Sequence, residues 1–459
     1  MLAMRAQWRR LGGRKGELEQ GFAENESGQT VAIAHDGNRL FVGHFMLGNT
    51  YSFTTEDWRA TFDMADETSL DSLALNIGPE PWQVTQAQMA YTLLSSRSPH
   101  PSRRSLRLFL SLDMNVLKKS PADIAQKILT IIASNVNANL RWEDKIVLST
   151  FGGHDFGDAW KEVIQQIEDG LKQKVFFWPA FFEPPEEFLN REYVHGSFAW
   201  NNAWPMGNHS IDLKNDWPFL KSNKPYMAAV SPLFFTHYGN EGDWAFNKNW
   251  IYRSDDLLLP TRFSSILSLP PTESPQMLQM ISLNDYGESH NLFPVRGIQP
   301  GSEAWTRDMS HEGLRWMSKY YGERWRDGKG EIEGYEDRVR VVLWYRTKPK
   351  DMAATDSVEK PNHADWASQC LKDQDLINFF ILVPPSGSRI DTTLHVTNGL
   401  SSHVRSLING QLNLLTIPFV PGNVSYQVKQ AGVNVVQGEG KAITQDGGWN
   451  YNFWSGGEF

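Results

Sequence analysis

Two acidic residues three positions apart, Asp285 and Glu288, lie in the run Asn284-Asp285-Tyr286-Gly287-Glu288-Ser289-His290. Breaking a glycosidic bond calls for such a pair. One carboxylic acid protonates the departing oxygen, and a second carboxylate activates water or attacks the sugar. On a straight strand, residues three apart face opposite sides. Gly287 is expected to end the strand and let Glu288 swing round toward Asp285. That would bring the carboxyls to the ~6.5–9.5 Å separation of enzymes that invert the anomeric centre. A single acid behind a strand is ordinarily a loop cap or a solvated charge, and it is the pairing that favours chemistry.

A regular series of elements must position these groups. Apolar runs of strand length occur at 40–45, 72–78, 106–113, 145–151, 174–179, 197–200, 226–231 and 280–285. Helical periodicity fills 54–68, 82–96, 121–134 and 158–172, then 256–269 before the eighth run and 303–321 after it. Thr54, followed by acidic residues, is a helix N-cap candidate. Apolar strands alternating with helices imply a parallel sheet covered on both faces. Eight such units are the count of a (β/α)8 TIM barrel. An open doubly wound sheet is the alternative. It would often carry a Gly-rich phosphate loop after its first strand, where this chain has His44-Phe45-Met46-Leu47-Gly48-Asn49-Thr50.

The pattern changes near residue 335. Runs at 339–346, 376–383, 389–396, 412–419, 424–429 and 433–437 alternate or stay apolar, separated by Gly, Pro and Asn. This reads as an all-β sandwich. The expected fold class is therefore α/β, a (β/α)8 TIM barrel followed by a C-terminal all-β sandwich domain. Its expected parts are an N-terminal extension at 1–35, the catalytic barrel at 36–335 and the accessory sandwich at 336–459. The charged stretch 347–365 reads as a surface excursion.

Barrel active sites lie at the C-terminal ends of the strands. The polar groups expected there are His44, Asn76, Asp113, Asp155, Glu183, His237 and Tyr238. Asp113 suits a buried orienting carboxylate as well as a substrate contact. Asp155 and Glu183 lean toward substrate contact, while His44 and His237 are more commonly satisfied histidines of a barrel mouth. Trp178, Phe181, Phe182, Trp200, Trp204 and Tyr238 would line a sugar-stacking groove. The chain has 18 Trp, an excess that suits a carbohydrate site, although burial is the commoner role of any one Trp. Trp58, Trp160 and Trp316 fall on helical segments and read as packing.

Composition narrows the partners. The formal net charge is −9 and the pI about 5.8, and the basic runs are no longer than Arg9-Arg10 and Arg103-Arg104. Phosphate backbones need a basic footprint, so no nucleic-acid partner is expected. No apolar run is long enough to cross a membrane, and the charged first twenty residues lack the apolar centre of a signal peptide. A single cysteine, Cys370, excludes a disulfide within the chain. Sequons at Asn25, Asn208 and Asn423 carry little weight by themselves. His44 stands alone after the first strand, and no H-E-x-x-H, Cys cluster, P-loop or G-x-S-x-G is found. No metal and no cofactor are expected, and the chain is expected to act as a monomer.

Several stretches together resemble glycoside hydrolase family 71, the fungal endo-α-1,3-glucanases or mutanases. They are 48–53, 74–78, 174–179, 224–227, 231–232, 235–239, 249–256 and, best of all, 284–290. They occur in family order across 41 to about 350. The resemblance implies a barrel backed by a β-sandwich and endo-hydrolysis of α-1,3-glucan with inversion. It implies Asp285 and Glu288 as the catalytic pair, with Glu288 read as general acid and Asp285 as general base. Asp255, within a matching stretch, joins the expected substrate contacts. Leu283 stands where the family usually has Trp, and His195 where it commonly has Asp; both bear on substrate preference. An extracellular or cell-wall place is implied, while the charged N-terminus leaves an intracellular one open. Two rival readings are a barrel glycosidase for another glucan linkage and a glucan-binding protein that no longer hydrolyses.

Overall fold

The computed structural model describes residues 39–98, 104–239, 241, 246–297, 299, 301–352, 374–386, 390–448 and 450–459. The expected N-terminal extension, the Asn25 sequon, Cys370 and most of the charged excursion lie outside these residues. No helix among the described residues is long and apolar enough to cross a membrane.

The first part is a mixed α/β fold around one curled, largely parallel sheet. Its strands begin with β1 (Leu40–Met46), β2 (Ser72–Ile77) and β3 (Arg107–Asp113). The two-residue β4 (Arg141–Trp142) pairs antiparallel with β5 (Lys145–Phe151). Then come β6 (Val175–Phe177), β7 (Ser197–Ala199) and β8 (Tyr226–Val230). A hairpin of β9 (Phe235–Tyr238) and β10 (Lys248–Ile251) precedes β11 (Met277–Met280). The eight parallel strands neighbour one another in the order β6-β5-β3-β2-β1-β11-β8-β7. No ladder joins β6 to β7 among the described residues. Single backbone bonds cross that seam, from Gly196 N–H to Phe177 O at 3.2 Å and from Phe198 N–H to Pro179 O at 3.0 Å.

Strand alternation sorts the side chains into two cores. Phe41 and Phe45 of β1 point out to the helices, and Val42 points in. The inner cluster receives residues from all eight parallel strands, among them Ala74, Phe109, Val147, Phe176, Phe198, Met227 and Met277. The helix Thr55–Glu67 starts where expected. The Thr54 hydroxyl accepts from Asp57 N–H, and the Asp57 carboxylate accepts from Thr54 N–H at 2.9 Å, a reciprocal cap that satisfies two otherwise orphaned donors. The helix then buries Trp58 and Phe62 against the sheet.

Two four-stranded antiparallel sheets follow. Their strands are β12 (Arg340–Arg346), β13 (Leu376–Val383), β14 (Thr392–Asn398), β15 (Ser401–Leu407), β16 (Gln411–Pro418), β17 (Gly422–Gln430), β18 (Val433–Ile443) and β19 (Phe453–Glu458). One sheet runs β16-β13-β12-β19 and the other β15-β14-β17-β18. They share a core in which Val341, Leu343, Phe379 and Ile381 meet Leu394, Val396, Tyr426 and Val428. The helix Glu312–Asp327 ties the two parts together, with Leu314 N–H bonded to Ser455 Oγ at 3.1 Å.

Candidate active site

The eighth parallel strand stops earlier than its apolar run suggests. β11 ends at Met280, and the segment from Ile281 to His290 leaves the sheet as an irregular loop and turn. Asn284 anchors it to β1: its side chain accepts from Met46 N–H at 2.7 Å and donates to Met46 O at 3.0 Å. Asn49 adds a bond from its side-chain amide to Asn284 O at 2.8 Å. Asp285 follows, and its carboxylate accepts from Glu288 N–H at 3.2 Å. Gly287 is required here because Tyr238 lies on it; an added Cβ would stand 2.4 Å from the Tyr238 hydroxyl. Gly287 was expected to end the strand, but β11 has already ended at Met280 and Gly287 lies in the turn that follows.

A hydrogen-bond relay fixes the proton positions. Asp285 N–H donates to Ser282 Oγ at 2.8 Å, so the Ser282 hydroxyl proton is free for His290 Nδ1 at 2.9 Å. His290 Nε2 then carries the proton donated to Glu288 Oε2 at 2.8 Å. This is the neutral tautomer. Burial pulls the His290 pKa down to about 4, with Asp285 acting to raise it and Lys248 to lower it. The other oxygen of Glu288 meets the Lys248 ammonium in an ion pair. Burial lowers the Lys248 pKa, while the charges of Asp285 and Asp113 support its protonated form.

Asp285, Glu288 and His290 offer donor atoms that all lie within 4.8 Å of one another. Such a set could ligate a cation, but Glu288 already has one beside it in Lys248. Chemically, the arrangement supplies two carboxylates, one of them held by a lysine and a neutral histidine, at the open end of the parallel strands. Asp113, at the end of β3, is the third acid of this end. Burial pushes its pKa up to about 6, against the opposing pulls of Asn115 N–H and Lys248.

Lys248 was not among the residues expected from sequence. It sits in the β9–β10 hairpin, which had no strand signal beyond a short polar run. The same hairpin carries His237, whose Nδ1 meets Asn249 Oδ1 at 2.9 Å, and Tyr238. His44 is buried, with Gln279 Nε2 at 3.0 Å from its Nδ1 and the Trp200 ring edge-on at 4.7 Å. Burial, and then the charge of His290, draw the His44 pKa down to about 3. Asn76 is buried beside Met46 in the β1–β2 ladder.

The structure places the other expected contacts as follows. Trp178 is wholly buried and donates to Ser197 O at 2.8 Å, so it is a core ring. Trp204 is 2% exposed, donates to Leu233 O at 3.0 Å and packs on His290 and Tyr252. Trp200 is likewise buried, wedged between His44 and Phe151. These rings support the site from beneath and do not form an open groove. Glu183 is locked to Arg191 by two bonds of 2.7 and 2.6 Å, with its side chain 3% exposed. Asp255 is fully buried and pairs with Arg346 of β12 at 2.6 Å. Asp155 stays exposed in the loop after β5, paired with Lys119.

The two family departures are also placed. Leu283 is buried against Gly43 of β1 and acts on the site only through packing. His195 precedes β7, and its Nδ1 accepts from Phe177 N–H at 2.9 Å. The lysines whose charges reach it are Lys145, which opens β5, and Lys224, just ahead of β8. It therefore lies toward the N-terminal ends of the strands, away from Asp285.

Comparison with known proteins adds an independent line. The sequence model described as glycosyl hydrolase family 71 matches residues 37–458. A glucan endo-1,3-alpha-glucosidase of Schizosaccharomyces pombe is 27% identical over 436 residues, covering 92% of this chain and 95% of that one. A mutanase of Penicillium rubens is 28% identical over 431 residues, with 91% and 87% covered. An ascus wall endo-1,3-alpha-glucanase of Schizosaccharomyces pombe is 24% identical over 397 residues, with 81% and 87% covered.

Proposed function

Since the chain belongs to glycosyl hydrolase family 71, we propose that it hydrolyses α-1,3-glucan from within the chain, inverting the anomeric carbon, with Asp285 and Glu288 as its carboxylate pair. The observation that carries this reading is the joint placement of the two acids on one anchored loop. Their donor atoms fall within 4.8 Å at the C-terminal end of the parallel strands. Glu288 serves as general acid and Asp285 as general base. Asp113, Asn76, His44, His237 and Tyr238 shape the floor and wall of the same opening.

The spacing bears on stereochemistry. Inverting glycosidases hold their carboxyls ~6.5–9.5 Å apart to admit water, and retaining ones ~5–5.5 Å. One oxygen of Asp285 and one of Glu288 lie within 4.8 Å of each other, and the proposed inversion needs room between the two carboxyl groups for a water molecule. Following the first anomer released from α-1,3-glucan by NMR decides the matter. A β-anomer supports the proposal; an α-anomer replaces inversion by retention. Absence of any reducing ends would remove the hydrolytic reading altogether.

The finer architecture belongs to the same proposal. We read the eight parallel strands as a closed barrel spanning 36–335 and the antiparallel sheets as a sandwich spanning 336–459. The inner cluster fed by all eight strands, the backbone bonds across the β6–β7 seam and the core shared by the two sheets support it.

A further inference from the structure

We propose that Tyr51 and Trp82 form an aromatic subsite on the rim of the active site, stacking glucose rings of the α-1,3-glucan chain beyond those held at Asp285 and Glu288. This rests on the function proposed above and names where the longer substrate lies. β1 and β2 are adjacent parallel strands, paired through Met46 and Asn76. Tyr51 and Trp82 each come five residues beyond the end of those strands, so both stand at the end of the sheet that carries Asp285. Their rings meet edge to face, with centroids 5.3 Å apart and planes at 86°.

Tyr51 is 75% exposed, unlike the Trp rings beneath the site. The exposed Tyr51 ring keeps an apolar face open to solvent, and the ring pair offers one flat face and one perpendicular edge. The non-polar face of a pyranose fits such a corner. Carbohydrate sites also need polar groups at the rim for hydroxyls. Here the Glu80 carboxylate adjoins Trp82 by two positions and accepts from Gln83 Nε2 at 2.5 Å.

The corner is rigidly joined to the catalytic loop. Thr50 bonds back to Leu47 O through both its N–H, at 2.9 Å, and its hydroxyl, at 2.8 Å. Asn49, two residues before Tyr51, holds Asn284 O, and Asn284 is the neighbour of Asp285. Trp82 opens the helix Pro81–Ser95, whose proline presets the first turn.

The test compares wild type with Tyr51→Ala, Trp82→Ala and Tyr51→Phe on a series of α-1,3-linked glucose oligosaccharides of increasing length. Each alanine should raise KM for the long oligosaccharides roughly 3- to 10-fold, the range a ring stack supports. It should leave kcat and the turnover of the shortest cleaved substrate unchanged. Tyr51→Phe should behave as wild type, because stacking uses the ring and not the hydroxyl. KM unchanged at every length, or an equal loss at every length including the shortest, overturns the subsite. Retention on insoluble α-1,3-glucan is measured in parallel. A wild type that binds it, loses binding with either alanine and yet cleaves nothing counts against the hydrolytic function alone.

Discussion

Two carboxylates of this protein each face a cation, and their surroundings could hardly differ more. Asp216 is 1% exposed and accepts two bonds from the Arg262 guanidinium at 2.7 Å and a third from the Tyr226 hydroxyl at 2.6 Å. Arg262 spends its remaining Nε–H on Ala229 O at 3.0 Å. Charge and hydrogen-bonding capacity are matched there, and the group only braces the helix Leu258–Leu267 against β8. Glu288 instead shares its oxygens between a lysine and a neutral histidine, on a turn that keeps its side chain 13% exposed. Asp285 lies beside it, so two carboxyl groups share the neighbourhood of one lysine. The lesson is that residue type does not distinguish a strut from a reagent; the balance of the surroundings does.

The sharpest way to break this contrast is to remove charge while keeping shape. Glu288→Gln and Asp285→Asn should each lower turnover of α-1,3-glucan by about 10²–10⁴, the size of a lost acid or base. Thermal unfolding should stay close to wild type. Asp216→Ala should do the opposite: removing one partner of a buried ion pair costs about 3–5 kcal/mol of stability. The remaining folded protein should keep its turnover number. Denaturant titration beside kinetics reads both, and a Glu288→Gln protein with near-normal turnover would defeat the pair.

Lys248→Met sharpens the contrast further, because the lysine is what distinguishes Glu288 from an ordinary exposed acid. An ammonium beside a carboxyl favours its ionised form, so deleting it raises the pH at which Glu288 gives up its proton. If Glu288 is the general acid, the alkaline limb of the activity profile moves upward. If it is the base, the acidic limb moves upward instead and activity is lost at low pH. Lys248→Arg keeps the charge and should keep both limbs. A profile that stays fixed in Lys248→Met would show that the ammonium has no hold on either step.

Much of this was legible in the residues. Seven of the parallel strands fall on runs read from the sequence because both-face burial writes continuous apolar stretches, and β13 matches its run to the residue, but the run at 280–285 meets β11 at Met280 alone and the short helices Pro185–Leu189 and Trp217–Leu220 left no readable pattern. Two strands of the C-terminal sheets were not evident: β15, Ser-Ser-His-Val-Arg-Ser-Leu, is a largely exposed edge, and β19 carries two glycines. Asp285 and Glu288 were visible by type and spacing. Lys248 was not, since it reaches the site from a hairpin whose partner strands are separated by nine residues of weak pattern. The tryptophans misled for a physical reason. A large ring at a strand end serves equally to fill the space under a mouth or to line it; Trp178, Trp200 and Trp204 are buried, whereas Tyr51 is exposed.

Asp155 tests the comparison from its weakest end. Like Glu288 it pairs with a lysine in a loop after a parallel strand, but here both partners are open to water, 55% and 39% exposed for Asp155 and Lys119. The Lys119 contact holds the Asp155 pKa below the usual carboxylate range. Water screens such a pair, and exposed ion pairs contribute only ~0–1 kcal/mol. Asp155→Ala should therefore leave stability within about that margin and kcat within about twofold. Any role as a substrate contact should surface only as a modest rise in KM. If kcat fell as far as in Glu288→Gln, the distinction would fail, because a solvated carboxylate would then be doing what the half-enclosed one was assigned to do.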